Sequence, residues 1–140
     1  MNNSRKFLKI RILSTTKYLF HVSNILLIVF YLFPGSILGC LIYDDCKIQP
    51  QLTSDFLVSS NHVYVFAIIS LLGFLAYSKD KVFKIIIVYL FFIAIFLELT
   101  HLFIPERGFE TKDLGGNIVG VTVSLIIFLI IKFRKKNELF

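Results

Sequence analysis

The residues most able to do chemistry in this chain lie in one short stretch, 98–120. A carboxylate, an imidazole and a guanidinium follow one another closely there, and a second carboxylate and an amide come next: Glu98, His101, Arg107, Asp113 and Asn117. Glu98 and His101 are three residues apart, so they share one face of a helix. Groups of these types can hold an anion, transfer a proton or bind a divalent metal ion. The stretch therefore indicates a functional site whose chemistry depends on how its members pair.

The segments around this stretch are strongly apolar. Hydrophobic residues make up 56% of the 140 residues, whereas a soluble domain has about 45–50% even when glycine is counted. They fall into four blocks close to the roughly 20 residues that cross a bilayer as helix, at approximately 18–42, 62–77, 82–104 and 114–131. Backbone groups in hydrocarbon must bond within their own segment, so the blocks predict helices. The predicted fold class is all-α: a multi-pass membrane protein with four transmembrane helices.

The 15 Lys and Arg are spread unevenly between the blocks. Basic residues in short loops stay on the cytoplasmic side, so their distribution predicts that both termini are cytoplasmic. The chain then divides into a basic cytoplasmic arm (1–17), a four-helix transmembrane domain (18–131) and a basic cytoplasmic tail (132–140). Topology and attraction to membrane lipids explain the net charge of +6, and no nucleic-acid partner is expected. Most basic residues lie in the arm, the middle loop and the tail: Arg5, Lys6, Lys9, Arg11, Lys17, Lys79, Lys81, Lys84, Lys132, Arg134, Lys135 and Lys136.

This topology predicts that the polar stretch lies at the extracytoplasmic ends of the helices, with His62 at the start of the second segment in the same layer. We expect Arg107 to pair with Glu98 through two parallel hydrogen bonds, with Asp113 as a competitor. Three interpretations stay open. The pair could only fix the loop, Arg107 could also donate to an anionic ligand, or Glu98 could act with His62 or His101 as an acid–base pair.

A metal site is a further alternative, because His62, Glu98, His101 and Asp113 are all of types that bind zinc. Their spacing is weak support, however. A single Glu-x-x-His is half of a di-iron bundle motif, and such sites need a second copy on another helix. From the sequence we therefore expect no metal and no cofactor.

Several other residues in and near the stretch have structural interpretations. Gly116 and Gly120, extended by Ser124, form a small-xxx-small face that predicts close packing of the fourth helix against the third or first. Asn117 lies beside them and would need a hydrogen-bond partner if buried. The remaining expectations are a break in the first helix at Pro34-Gly35, an end to the third helix at Pro105, and a headgroup-level anchor at Phe109.

Cys40 and Cys46 lie near the predicted outer end of the first segment. They could form a disulfide if that compartment is oxidising. The alternative is that Ile37-Leu38-Gly39-Cys40 is a lipoprotein cleavage site behind a basic arm and an apolar run.

The pattern E-x-x-[QH]-x-x-x-P-x-R-x-F-x-x-x-D-x-x-x-N-x-x-G, preceded by a histidine near the start of a helix, resembles the VanZ-like family. The matching positions here are His62, Glu98, Pro105, Arg107, Phe109, Asp113, Asn117 and Gly120, with His101 where the family usually has Gln. The resemblance implies a small multi-pass protein of the bacterial inner (plasma) membrane. The family's namesake is associated with lowered susceptibility to teicoplanin, a glycopeptide antibiotic.

Three classes of function follow from these observations. The first, which we favour, is a cell-envelope protein that binds membrane lipids, specifically an anionic envelope lipid or cell-wall precursor, at an extracytoplasmic polar pocket. The second is an intramembrane enzyme that modifies such a molecule, with Glu98 or a histidine as acid and base. The third is a structural accessory subunit with a membrane-protein partner. The chain has no phosphate-binding glycine loop, Gly-x-Ser-x-Gly elbow or His-Glu-x-x-His, which favours a role other than catalysis.

Overall fold

The computed structural model describes residues 3–137, with the side chains of residues 4 and 7–134. Within this range the helices are α1 (Asn3–Leu32), α2 (Ile37–Tyr43), α3 (Ser60–Tyr77), α4 (Phe83–Thr100) and α5 (Thr111–Asn137). The four longer helices contain segments long and apolar enough to cross a membrane: Phe7–Leu32, Ser60–Tyr77, Phe83–Thr100 and Thr111–Arg134. The predicted all-helical, multi-pass architecture is therefore confirmed. Residues 1–2 and 138–140 of the predicted arm and tail, and the side chains of Arg5, Lys6, Lys135 and Lys136, lie outside the described part.

The first hydrophobic block, 18–42, is divided in two at the break predicted for Pro34-Gly35, so it is not one continuous helix. α1 ends at Leu32, and α2 begins at Ile37 after a turn that contains Pro34 and Gly35. Proline has no amide hydrogen with which to continue the helix. Gly35 has a φ of +80°, a left-handed conformation that glycine adopts without steric cost. Hydropathy did not detect this turn because the residues on both sides of it are apolar. At its other end α1 extends back through the predicted arm to Asn3.

α4 ends at Thr100, earlier than the predicted end at residue 104. The chain continues through tight turns, in which the amide of His101 donates to the Glu98 carbonyl at 3.2 Å. Because a proline disfavours helical geometry in the residue before it, the helix cannot extend through Pro105. The loop over residues 101–110 then leads into α5.

α3 and α5 make the most extensive helix–helix contact of the bundle. A Cβ atom added to Gly120 would lie 2.6 Å from the carbonyl oxygen of Val63, and one added to Gly116 would lie 2.6 Å from that of Ser59. The small-residue face of α5 therefore packs against the second membrane segment, and the prediction that it meets the third or first is wrong. The pattern predicts close approach, but it does not specify the partner helix.

The core of the bundle is aromatic and aliphatic, and its outer surface is apolar as well. Phe20, Phe66, Phe74, Leu90 and Val121 are almost completely buried between the helices. Many large apolar side chains point outward, including Ile25, Ile68, Val88, Phe92 and Ile126. An apolar exterior of this extent is typical of a surface that contacts lipid.

One end of the bundle has the two longer connecting segments, residues 33–59 and 101–110. Here α1 and α4 end and α3 and α5 begin. The first segment contains a disulfide between Cys40 and Cys46, and the carbonyl of Cys46 accepts a hydrogen bond from the amide of Ser36 at 2.7 Å. We refer to this end as the disulfide end.

Candidate functional site

Six polar side chains meet inside the bundle near the disulfide end. We call this group the polar cluster, and its members are Tyr31, His62, Glu98, His101, Asp113 and Asn117. They come from α1, α3, α5 and the end of α4. Glu98 and Asn117 are fully buried, and His101 is 2% exposed. The structure thus brings five of the six predicted site residues together, around a tyrosine that the sequence analysis did not single out.

Tyr31, His62 and Asn117 form the centre of the polar cluster. The Tyr31 hydroxyl donates to Asn117 Oδ1 at 2.7 Å and lies 2.7 Å from His62 Nδ1, which is itself 2.9 Å from the same Asn117 oxygen. Asn117 Nδ2 donates to the Ala94 carbonyl at 3.0 Å, which fixes the orientation of the amide. The buried amide therefore has the partners that its burial requires.

The hydrogen atoms available in this trio determine the protonation of His62. The tyrosine hydroxyl supplies one hydrogen, and Asn117 Oδ1 supplies none. If Nδ1 of His62 carried no hydrogen, it would face the Asn117 oxygen as a second acceptor at 2.9 Å. The geometry therefore favours a hydrogen on Nδ1, so that the other ring nitrogen, Nε2, is left to face Asp113.

Asp113 lies in the first turn of α5, on the other side of the His62 ring. Its Oδ2 is 3.4 Å from His62 Nε2, and the two side chains are 19% and 7% exposed. A bare imidazole nitrogen and a carboxylate oxygen repel each other at this distance. Either a proton, on Nε2 or on the carboxyl group, or a cation must therefore lie between them.

Glu98 is held through one of its two carboxylate oxygens. Oε1 accepts a hydrogen bond from the amide of Glu110 at 3.0 Å and lies 3.4 Å from His101 Nδ1. His101 Nε2 faces the Tyr31 carbonyl oxygen at 3.2 Å, so this nitrogen carries a hydrogen. The other carboxylate oxygen, Oε2, is buried and has no hydrogen-bond partner among the described residues.

Arg107 does not pair with Glu98 or Asp113 within salt-bridge distance, so the predicted bidentate ion pair is wrong. Its guanidinium donates instead to two backbone carbonyls at the end of α1, those of Phe33 at 3.4 Å and Phe30 at 3.2 Å. The reason lies in Pro34. The Phe30 carbonyl would normally accept from the amide four residues later, but proline has no amide hydrogen.

Arg107 therefore caps the C-terminus of α1, where the helix dipole favours a cation. Partial burial lowers the pKa of the guanidinium from its ordinary value, while Tyr31 and the carboxylate of Asp113 oppose this shift. Arginine stays charged despite such a shift. Among the described residues Nη1 of Arg107 makes no hydrogen bond, so the side chain keeps donors for another group.

Two cavities adjoin the polar cluster. The larger, of about 520 Å³, lies between α1, α2 and α3, and its walls are mainly apolar. The smaller, of about 190 Å³, is polar and lies beneath the 101–110 loop, with Lys47, Glu106, Arg107, Glu110 and Asp113 in its lining. Four residues line both cavities: Ser36, Gln49, His101 and Arg107. An apolar space and a polar space thus share a boundary at Arg107.

Some of the predicted site residues line a cavity, whereas others are buried behind the lining. His62 lines the apolar cavity, Asp113 the polar one, and His101 and Arg107 line both. Glu98 and Asn117 lie behind them, fully buried, so they support the lining rather than form it. Phe109 is half-buried and Pro105 is exposed in the 101–110 loop.

Sequence reasoning missed Tyr31 and two cavity residues, Ser36 and Gln49. Tyr31 was overlooked because it lies within an apolar run, where a tyrosine is usually read as part of the core or of an interfacial belt. Its position three residues before Pro34, at the end of the run, was the available signal. Ser36 and Gln49 belong to the irregular segment 33–59, whose path only the structure reveals.

The fold and the polar cluster define a multi-pass membrane protein with a buried polar site at one end of a four-helix bundle. No protein-family model matches the chain, and no curated protein and no solved structure matches it either.

Proposed function

We propose that this protein is a VanZ-like cell-envelope protein that binds a phosphate-bearing amphiphile, either an anionic envelope lipid or a lipid-linked cell-wall precursor. The observation that carries the proposal is the shared boundary of the two cavities at Arg107. An apolar space of about 520 Å³ is large enough for part of a hydrocarbon chain, since ligand pockets span roughly 300–1,000 Å³. The polar space next to it suits a headgroup.

Arg107 is the anion-binding group in this proposal. A guanidinium is suited to a phosphate because it presents several donors in a fixed plane. The carbonyls of Phe30 and Phe33 hold this guanidinium in place, so little side-chain entropy is lost on binding. Lys47 lines the same polar cavity and adds a second positive charge.

The polar cavity also contains three carboxylates, from Glu106, Glu110 and Asp113. A bare phosphate would be repelled by them, whereas a headgroup with hydroxyl or amine groups beside its phosphate can donate hydrogen bonds to them. This mixed lining favours a sugar-, glycerol- or peptide-bearing headgroup. Both lipid headgroups and cell-wall precursors offer such chemistry.

The proposed location is the plasma membrane of a bacterium, with both termini in the cytoplasm and the disulfide end outside. The alternation of basic loops supports this topology. The disulfide between Cys40 and Cys46 supports it independently, because disulfides persist in oxidising compartments. Lowered susceptibility to teicoplanin is the phenotype proposed from the family resemblance.

The proposal is tested by the lipids that co-purify with the protein. The tagged protein and its Arg107→Gln variant are extracted in mild detergent and analysed by native mass spectrometry, with Lys112→Gln as the control because Lys112 is an exposed neighbouring cation. We expect a phosphate-bearing lipid on the wild type and on Lys112→Gln, and at least about tenfold less on Arg107→Gln. Equal retention by all three proteins would contradict the proposal.

A further inference from the structure

Three side chains of metal-ligand type converge from three different helices. His62 of α3, Glu98 of α4 and Asp113 of α5 each place one ligand atom within 4.8 Å of the ligand atoms of the other two. Two of them are buried and the third is partly buried. The three helices thus hold an imidazole and two carboxylates around one point.

Glu98 gives an independent indication that a cation belongs at this point. Its side chain is fully buried; Oε1 has the Glu110 amide and His101 Nδ1 as neighbours, whereas Oε2 has no partner among the described residues. An ionised carboxylate in such surroundings is strongly destabilised unless it is paired or coordinates a metal. Arg107, the obvious organic cation, is held by backbone carbonyls at the end of α1 instead.

His62 is oriented as a metal ligand would be. A ligating histidine almost always donates its second ring N–H to a neighbouring acceptor, which fixes its tautomer. The geometry favours this role for Nδ1 of His62, 2.9 Å from Asn117 Oδ1, and in that tautomer the lone pair of Nε2 faces Asp113 at 3.4 Å. Tyr31 and Asn117, in turn, are fixed by their own hydrogen bonds.

The distances fit a small divalent ion. Zinc binds His nitrogen and carboxylate oxygen at about 2.0–2.2 Å, so neighbouring ligands of a tetrahedral site are about 3.3 Å apart. His62 Nε2 and Asp113 Oδ2 already stand 3.4 Å apart. The ligand atom of Glu98 lies within 4.8 Å of the other two, so it need approach by no more than about 1.5 Å to complete three protein ligands.

We propose that His62, Glu98 and Asp113 bind one divalent transition-metal ion, with Zn²⁺ as the preferred ion. Imidazole with two carboxylates suits zinc better than magnesium or calcium, which take oxygen ligands. Three protein ligands leave a fourth coordination position open, and Asp113 places it beside the polar cavity. This revises the expectation from the sequence, which grouped these three residues with His101 as possible zinc ligands but expected no metal because their spacing was weak support.

The alternative is that protons replace the metal. His62 would then carry a hydrogen on each ring nitrogen and pair with Asp113, and His101 would pair with Glu98 in the same way. This arrangement neutralises both carboxylates, but it leaves Glu98 Oε2 without a partner. Metal titration distinguishes the two arrangements directly.

The test is Zn²⁺ binding to the purified full-length protein. The protein carries an affinity tag without histidine, is freed of metal with a chelator in detergent without reductant, and is titrated with Zn²⁺ and separately with Mg²⁺. We expect one Zn²⁺ per chain, a rise in the thermal unfolding temperature with Zn²⁺, and no comparable effect of Mg²⁺. Binding is measured without added lipid, so a negative result would not affect the proposed amphiphile function.

Substitutions of the three proposed ligands test which residues bind the metal ion. Asp113→Asn changes the most exposed ligand and so has the least effect on folding, whereas His62→Asn and Glu98→Gln change the buried ones. Each should weaken Zn²⁺ binding by more than about tenfold, since even outer-shell changes cost 10–100-fold. The controls are His21→Asn, an exposed histidine of α1, and Asp44→Asn, an exposed carboxylate that lines neither cavity. A wild type that binds no Zn²⁺, or binding that survives Asp113→Asn unchanged, would overturn the proposal.

Discussion

Nη2 of Arg107 donates a hydrogen bond to the carbonyl oxygen of Phe30 at 3.2 Å. This contact joins the loop after α4 to the end of α1, and it exists because Pro34 cannot supply the amide that would otherwise bond to Phe30. The arginine thus compensates for a helix end that the proline creates. The same contact fixes the guanidinium where the apolar and polar cavities meet.

Replacing Arg107 should destabilise the bundle. Arg107→Gln removes charge-assisted hydrogen bonds to Phe30 and Phe33. Their lengths of 3.2 and 3.4 Å place each at or below the lower end of the usual range of about 1.5–3 kcal/mol, so we expect a loss of about 1–3 kcal/mol in the free energy of unfolding. Arg107→Lys should recover only part of it, because an ammonium is a single point charge. Thermal unfolding in mild detergent measures both variants. Stability equal to that of Lys112→Gln would show that the α1 cap is unimportant.

Alanine at Gly120 should weaken the contact between α3 and α5. The added Cβ would lie 2.6 Å from the Val63 carbonyl oxygen, so the backbones must move apart, at a cost of about 1–3 kcal/mol. Gly108→Ala is the matched control, because a Cβ there meets nothing within 4 Å. The two variants are compared by thermal unfolding and by the yield of folded protein. Equal behaviour would contradict the close packing of α3 and α5.

Tyr31→Phe removes one hydroxyl from the polar cluster and preserves the ring. The loss of its hydrogen bond to Asn117 should cost about 1 kcal/mol, while His62 Nδ1 still bonds to the same oxygen. Tyr64→Phe is the control, since the exposed Tyr64 hydroxyl contacts Thr53 at 3.0 Å and water can replace that contact. The measurement is again unfolding in detergent. Identical stability of the two variants would mean that the Tyr31 hydroxyl contributes nothing.

The disulfide supplies a test of topology. In membranes prepared without reductant, a maleimide should fail to label Cys40 and Cys46 in the denatured protein, and reduction should expose both. In cells that lack the envelope's oxidising system, both thiols should be free from the start, because the disulfide end would face that compartment. Free thiols in normal cells, or the mass of a lipid-modified Cys40, would contradict this account.

The sequence predicted the architecture well because bilayer crossing imposes a simple length and polarity requirement. It predicted the break at Pro34-Gly35 from the residue types, but not that the apolar residues beyond the break form a separate short helix, α2. It indicated a small-residue face at Gly116 and Gly120, yet the choice of α3 as partner depends on the three-dimensional arrangement of the whole bundle.

The sequence predicted which residues form the polar cluster better than it predicted which of them bond to one another. Opposite charges in one stretch indicated that Glu98 and Arg107 are partners. Arg107 instead donates to the carbonyls of Phe30 and Phe33, 77 and 74 residues earlier in the chain, and Pro34 leaves the first of these without its helical partner. The side-chain types in a sequence do not show which backbone carbonyls will need a hydrogen-bond donor from elsewhere in the chain. The grouping of His62, Glu98 and Asp113 likewise depends on the register of three helices, which residue spacing along the chain does not specify.

The central claim is that an amphiphile places its hydrocarbon chain in the apolar cavity beside Arg107. The most direct measurement is native mass spectrometry of co-purified lipid on Val65→Phe, which places a larger side chain in this cavity because Val65 lines it. The control is Val88→Phe, the same substitution on the exposed outer face of α4. We predict that the phosphate-bearing lipid is lost from Val65→Phe and retained by Val88→Phe and the wild type. Retention of the lipid by a folded Val65→Phe protein, at the wild-type level, would contradict the claim.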